Sequence, residues 1–151
     1  MRRDRPWMLW EDEVCRRLGI DSVVASGATD NYKGDCKGST VLVDCKYTDG
    51  ASYRLTSSMW RKLSGWARNE SRVPLLAVML GGGGDMKVVV MPEWYYCEIS
   101  NEDTSDVDAV SRMSVNVSDD MRDVRHVASI GAERVVSMPF DEFEAVFHDE
   151  D

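Results

Sequence analysis

The segment Val41-Leu42-Val43-Asp44-Cys45-Lys46 sets the tightest limits on this chain. The run from Thr40 to Tyr47 predicts a β-strand, because β-branched and apolar residues dominate it. Side chains alternate along a strand, so Val41, Val43 and Cys45 share one face while Asp44 and Lys46 share the other. A carboxylate and an amine two residues apart on an otherwise apolar strand are costly to bury without a partner or a metal ion. Either the strand lies at an edge, with Asp44 and Lys46 as a surface ion pair, or it carries a site.

The residues around it favour a site. Asp35 and Cys36 predict a brief strand, and Lys37-Gly38-Ser39 turns the chain back into Thr40–Tyr47. On such a hairpin the carboxylates of Asp35 and Asp44 can converge. Two carboxylates form an oxygen-rich site suited to Mg²⁺, which takes few protein ligands and keeps several waters. Upstream, residues 7–18 predict a helix with Trp7, Val14 and Leu18 on one face and Gly19 as its stop. Glu11 falls on that inward face, whereas Glu13 points roughly 160° away toward solvent. Glu11 is therefore the third acid of the candidate site, and Lys46 is the amine that orients a water or offsets developing negative charge.

Further elements follow from periodicity and turn chemistry. Ser22–Ser26 predicts a short strand, residues 27–34 a polar loop and Thr48–Ser52 another. Thr56 is a good N-cap for a helix to Asn69, with Met59, Leu63, Trp66 and Ala67 as its apolar face. Pro74–Leu80 and Met86–Met91 predict strands joined by a hairpin at Gly81–Asp85, and Pro92 opens a helical turn. Beyond residue 100 the pattern weakens. Residues 101–108 predict disorder, Val135–Met138 a strand, and Pro139–Phe147 a short helix with Phe140, Phe143 and Phe147 on one side. The expected architecture is α/β, a mixed sheet flanked by helices over residues 1–98, with an acidic C-terminal extension over 99–151, partly disordered.

Composition narrows the function classes. The apolar fraction of 43% supports a packed core, and no run is long enough to span a membrane. No signal-type apolar region follows the basic start, so the expectation is a cytoplasmic protein. Cys15, Cys36, Cys45 and Cys97 form no C-x-x-C pair, and only His126 and His148 could join them on zinc, which predicts reduced, mostly buried thiols. The net charge is −9, but its distribution is uneven. Residues 1–97 hold 14 Lys and Arg against 12 Asp and Glu, whereas residues 98–151 hold 4 against 15. The acidic third is either a solvated segment or a DNA-mimicking, autoinhibitory tail.

Glu11-x-Glu13-Val14, Ser26-Gly27-Ala28, Gly34-Asp35 and Asp44-Cys45-Lys46 resemble the ordered motifs of the PD-(D/E)XK nuclease superfamily. The stretch from Tyr53 through Met59, Leu63 and Trp66 to Val73-Pro74-Leu75-Leu76-Ala77-Val78 resembles the archaeal-type Holliday junction resolvases. There a tyrosine precedes a helix that leads into a Pro-initiated strand. The resemblance covers about residues 7–98, and Asp44 stands where the closer relatives usually carry Glu. It implies a restriction-endonuclease-like sheet and a hydrolase of DNA recombination and repair. By it, Glu11, Asp35, Asp44 and Lys46 match the catalytic set, Ser26 matches an active-site loop serine, and Glu11, Asp35 and Asp44 match the metal ligands. It further implies Mg²⁺ (with Mn²⁺ as substitute), four-way DNA junctions as substrate and a homodimer. A viral or mobile-element source would suit so compact a resolvase.

Phosphate contact needs cations near the acids. Candidates are Arg2, Arg3 and Arg5 in the N-terminal arm, Lys33 and Lys37 beside the loop, and Arg54, Arg61 and Arg68, with Lys62 and Arg72 nearby. Trp60, Trp94, Tyr95 and Tyr96 are either base-stacking platforms or, preferably, core or dimer-interface residues. Two other functions stay open: a nuclease for nicked, mismatched or general duplex DNA, and a non-catalytic binding module on the same fold.

Overall fold

The computed structural model describes residues 5–23, 35–83 and 85–149. Fourteen regular helices and strands follow one another among them: α1 (Pro6–Leu18), β1 (Asp21–Ser22), β2 (Cys36–Lys37), β3 (Val41–Thr48), β4 (Ser52–Thr56), α2 (Ser57–Asn69), β5 (Val73–Leu80), β6 (Met86–Pro92), α3 (Glu93–Ser100), β7 (Ser111–Arg112), β8 (Ser114–Ser118), β9 (His126–Ile130), β10 (Glu133–Pro139) and α4 (Phe140–Val146). The architecture is α/β. An eight-stranded mixed sheet runs in the order β1-β2-β3-β5-β6-β10-β9-β7, and a separate ribbon pairs β4 with β8. β3 and β5 are parallel, joined by a crossover through β4 and α2. No described helix is long and apolar enough to cross a membrane.

Both faces of the sheet are covered, which gives two cores. On one face, α1, α3 and α4 bury Trp10, Val14, Tyr95, Phe140 and Phe143 against Val41, Val43, Cys45 and Ala77. On the other, α2 and the β4–β8 ribbon bury Trp60, Leu63, Leu55 and Val117 against Leu42, Leu76 and Val90. This double cover explains the nearly unbroken apolar run of Val73–Leu80, a pattern expected of a strand buried on both sides.

The helix boundaries follow from end chemistry. Pro6 sits in the first turn of α1, and Gly19 closes it with a left-handed φ of 67°, its N–H donating to the carbonyl of Arg16. Thr56 caps α2 by accepting from the Met59 N–H at 3.2 Å, as the sequence predicts. The buried faces are rotated from expectation. In α1 the innermost aromatic is Trp10, whereas Trp7 is 46% exposed. In α2 Trp60 and Ser64 are buried while Met59 faces outward.

Four further expectations are corrected. Residues 99–151 are no separate extension: β10 lies inside the sheet between β6 and β9, and Phe140, Phe143 and Phe147 complete the first core. Residues 101–108 are ordered through Thr104, which is fully buried and donates to Glu93 at 2.7 Å, while Arg134 reaches the carbonyls of Thr104 and Val107. Glu13 does not face solvent; it accepts from Arg17 at 2.9 Å and Lys87 at 2.8 Å. The expected strand at Ser22–Ser26 is seen only as Asp21–Ser22, and residues 24–26 lie outside the described residues.

Because the last third is core, it should behave as core. Phe143→Ala should cost about 3–5 kcal/mol, and a chain ending at residue 98 should show no cooperative thermal transition by circular dichroism. A sharp melt from the truncated chain would separate residues 99–151 from the fold.

Candidate active site

The site starts at a short antiparallel pairing. β2 aligns Cys36 with Val43 and Lys37 with Leu42 on β3. The Asp35 N–H extends that pairing by donating to the Val43 carbonyl at 2.7 Å. Alternation then places Asp35 on the face of Asp44, opposite the face of Cys36 and Val43. Asp35 and Asp44 are close enough to share a hydrogen bond. The Asp35 carboxylate also accepts from the Cys45 backbone N–H at 2.7 Å. Lys46, two residues on, holds its Nζ 3.4 Å from Asp44 Oδ2.

Burial dominates the electrostatics of this pair. Asp44 is only 9% exposed, and burial pushes its carboxyl up to about 6; Lys46 opposes the rise while Asp35 adds to it. Its second oxygen, Oδ1, is buried with no hydrogen-bond partner. Glu11 belongs to the same neighbourhood. Partial burial raises it to about 7, with further contributions from the negative charges of Asp35, Asp12 and Asp44 and an opposing one from Lys46. Tyr53 on β4 is pushed up to about 12 by burial and by Asp44. Of the five expected catalytic residues, Asp35, Asp44 and Lys46 are neighbours, and Glu11 is near enough for the charges of Asp35 and Asp44 to act on it. The fifth, Ser26, lies outside the described residues.

Among the described residues no three His, Cys, Asp or Glu side chains are gathered into a ready-made metal cage. Mg²⁺ does not require one, since it is commonly held by one or two carboxylates and keeps its waters. The orphaned Oδ1 of Asp44 is a buried acceptor without a donor, a costly condition that a cation or a proton relieves. The Asp35–Asp44 pair fits a hard divalent ion, with Glu11 outside the pair.

The expected phosphate contacts divide. Arg2, Arg3 and Lys33 lie outside the described residues. Arg5, Arg54 and Arg61 are exposed. Lys37 is tied to Glu70, and Arg68, 75% exposed, stands 3.9 Å from Glu133. The aromatic candidates follow the core alternative, since Trp60, Tyr95 and Tyr96 are buried; Trp94 alone of the four is exposed.

Two features of the site escaped sequence reasoning. Tyr53 was singled out only as a family likeness, because nothing local shows that β4 folds over the Asp44 face. The second is a bond: Cys15 and Cys36 form a disulfide, which corrects the expectation of four reduced thiols; Cys45 and Cys97 are free. Cys15 lies on the buried face of α1, and Cys36 on the face of β2 opposite Asp35; their meeting depends on how α1 docks over β2, which no local pattern gives. No family model and no curated protein matches this chain.

The raised acids predict a pH dependence. Glu11 and Asp44 keep their protons in the folded chain where the unfolded chain has lost them. Their contribution is complete below the ordinary values of 4.5 and 3.8, and it is lost as pH rises through about 7 for Glu11 and about 6 for Asp44. The metal-free wild type should therefore lose melting temperature between about pH 4 and 7 relative to a Glu11→Gln/Asp44→Asn double variant. Parallel curves for the two proteins across that range would show that neither acid is perturbed.

Proposed function

We propose that this chain is a divalent-metal-dependent DNA endonuclease with a restriction-endonuclease-like core, cutting branched DNA as the archaeal-type Holliday junction resolvases do. What supports this reading is the grouping of Asp35, Asp44 and Lys46, with the Asp44 Oδ1 left unpartnered and Glu11 near enough to feel both aspartates. In this reading Asp35 and Asp44 hold Mg²⁺ or Mn²⁺. Bound there, the ion polarises a phosphodiester and lowers the pKa of a water.

The chain's own groups supply the rest. The Cys45 N–H fixes one oxygen of Asp35, so that carboxylate is oriented before any ligand arrives. Lys46, 41% exposed and leaning on Asp44, presents an ammonium that can face a phosphate oxygen and offset developing charge. Glu11, poised at about 7, is a carboxylate able to take a proton from water near neutral pH. Arg5, Arg54 and Arg61 are exposed and can meet backbone phosphates. A homodimer in the cytoplasm, with one site per strand to be cut, completes the proposal.

One observation favours a second reading, a nuclease for nicked, mismatched or general duplex DNA. Lys37 and Arg68 face Glu70 and Glu133, so the basic surface is thinner than a grip on four duplex arms asks.

The deciding experiment compares a synthetic four-way junction with linear duplex of the same sequence, in Mg²⁺, in Mn²⁺ and with chelator. Junction cleavage that chelator abolishes is expected. Asp44→Ala and Lys46→Ala should each lower the rate by about 100-fold or more, with gel-shift binding of the junction retained. Equal cutting of both substrates would select the second reading, and undiminished cleavage by both variants would overturn the site.

A further inference from the structure

The acids of the site ride on two elements that one covalent bond joins. Cys15 lies one turn beyond Glu11 on α1, on the same side of the helix, and Cys36 is the residue after Asp35. Their disulfide links positions 21 apart in sequence and brings the two Cα atoms to 5.6 Å.

β2 is a short strand, held besides by the Lys37–Glu70 ion pair and by the Val23 N–H donating to the Asp35 carbonyl. It is two residues long, pairs with β3 through two residues, and its other neighbour β1 is equally short. Asp35 stands at its end, beyond the paired residues. The groups it must approach are acids, and like charges at close range push apart unless a constraint or a cation opposes them. Asp35 is fixed to β3 by donating its N–H to the Val43 carbonyl and by accepting from the Cys45 N–H. The disulfide adds a direct covalent tie from β2 to the helix that carries Glu11.

We propose that the Cys15–Cys36 disulfide is a positioning element of the active site, and that reducing it loosens the placement of Glu11 against Asp35 so that metal binding and cleavage follow its redox state. This rests on the nuclease reading above. Both sulfurs lie in an apolar cluster with Trp10, Val14, Leu18 and Val41, where two thiols are also at home. The reduced chain therefore keeps its fold, which a switch requires. A disulfide inside a reducing compartment is commonly a redox-sensing one.

The chemistry balances with a dithiol as reductant. Its thiolate attacks Sγ of Cys15, the less deeply buried of the two at 7% exposure against 0% for Cys36. The S–S bond breaks and the Cys36 sulfur leaves with the electron pair and takes up a proton. The reductant's second thiol then displaces Cys15 and closes a cyclic disulfide. Two electrons and two protons pass to the protein.

The test uses the full chain, oxidised and after treatment with dithiothreitol that is removed anaerobically. Alkylation and mass spectrometry should count two free thiols in the first state, Cys45 and Cys97, and four in the second. Mn²⁺ affinity without DNA should fall about tenfold or more on reduction, the range typical of lost support for metal ligands. The turnover number should fall with it while KM for DNA changes little, and reoxidation should restore both. A Cys15→Ser/Cys36→Ser double variant should match the reduced state and ignore dithiothreitol; Cys97→Ser should behave as wild type. Four free thiols in the oxidised preparation would overturn the inference. So would unchanged Mn²⁺ affinity and turnover on reduction, with only the unfolding midpoint lowered, since that is a purely structural bond. Absence of Mn²⁺ binding and of cleavage in both states would overturn the nuclease reading itself, and the inference with it, while the thiol count still recorded the bridge.

Discussion

β3 is covered on both faces and still carries a carboxylate. Val41, Val43 and Cys45 pack under α1, and Leu42 packs under α2, so every position of the strand between 41 and 45 is buried, Asp44 included. Apolar burial on this scale contributes about 25 cal/mol per Å² removed from water. That term locks β3 beside β5 over eight paired residues. Asp44 has no freedom to leave: withdrawing it to water would unpair the strand at the centre of the sheet. Its carboxyl therefore adapts chemically, taking a proton at higher pH than usual or waiting for a cation.

The same rigidity sorts the supporting parts. Asp35 is placed by backbone bonds on both sides of it, one made by its own N–H and one accepted by its carboxylate. Lys46 lies where β3 emerges from cover, which leaves its amine half in solvent and able to reach a ligand. Glu11 is carried by α1, whose docking is fixed at the preceding residue by Trp10 donating to the Ala77 carbonyl and by Phe140 packing edge-on against that indole. Residues of the C-terminal third thus hold the helix that brings the third acid. Arg17 extends this link, bonding Glu13 on its own helix and both Asp141 and Glu144 on α4.

What could be read from the sequence was whatever depends on neighbours along the chain. The period of two in Val41–Lys46, the turn at residues 37–39 and the Thr56 cap are local, and with them came Asp35 opposite Asp44 and Lys46 beside it. What could not be read depends on tertiary partners. β7, β8 and β9 are short and mixed in polarity, and they become strands because β10 and β4 offer edges to pair with. Trp7 and Trp10 fit a helical stripe equally well by type, and only the position of α1 over β3 decides which is buried. The acidity of the last third suggested a solvated tail because charge outweighed pattern there. Its apolar residues are few but concentrated in β10 and α4, where Val135, Val136, Met138, Phe140 and Phe143 all lie inside.

The placement of charge bears on how so acidic a chain could meet a polyanion. Many acids of the last third are engaged within the fold. Asp141 and Glu144 bind Arg17, Asp119 binds Arg122, and Glu102 lies 3.6 Å from Arg125 while also accepting from Tyr96. Asp149 folds back onto the turn before β3, accepting from the Ser39 and Thr40 N–H groups. Engaged acids of this kind are still negative, but they are fixed in direction and partly screened by their partners. Beyond about 8–10 Å, physiological salt screens most of what remains. Net charge is therefore a poor guide to the field at the Asp44 end of β3. The local balance of Lys46, Arg54 and Arg61 against Glu11, Asp35 and Asp44 sets it, and a divalent cation between the two aspartates would tip that balance positive.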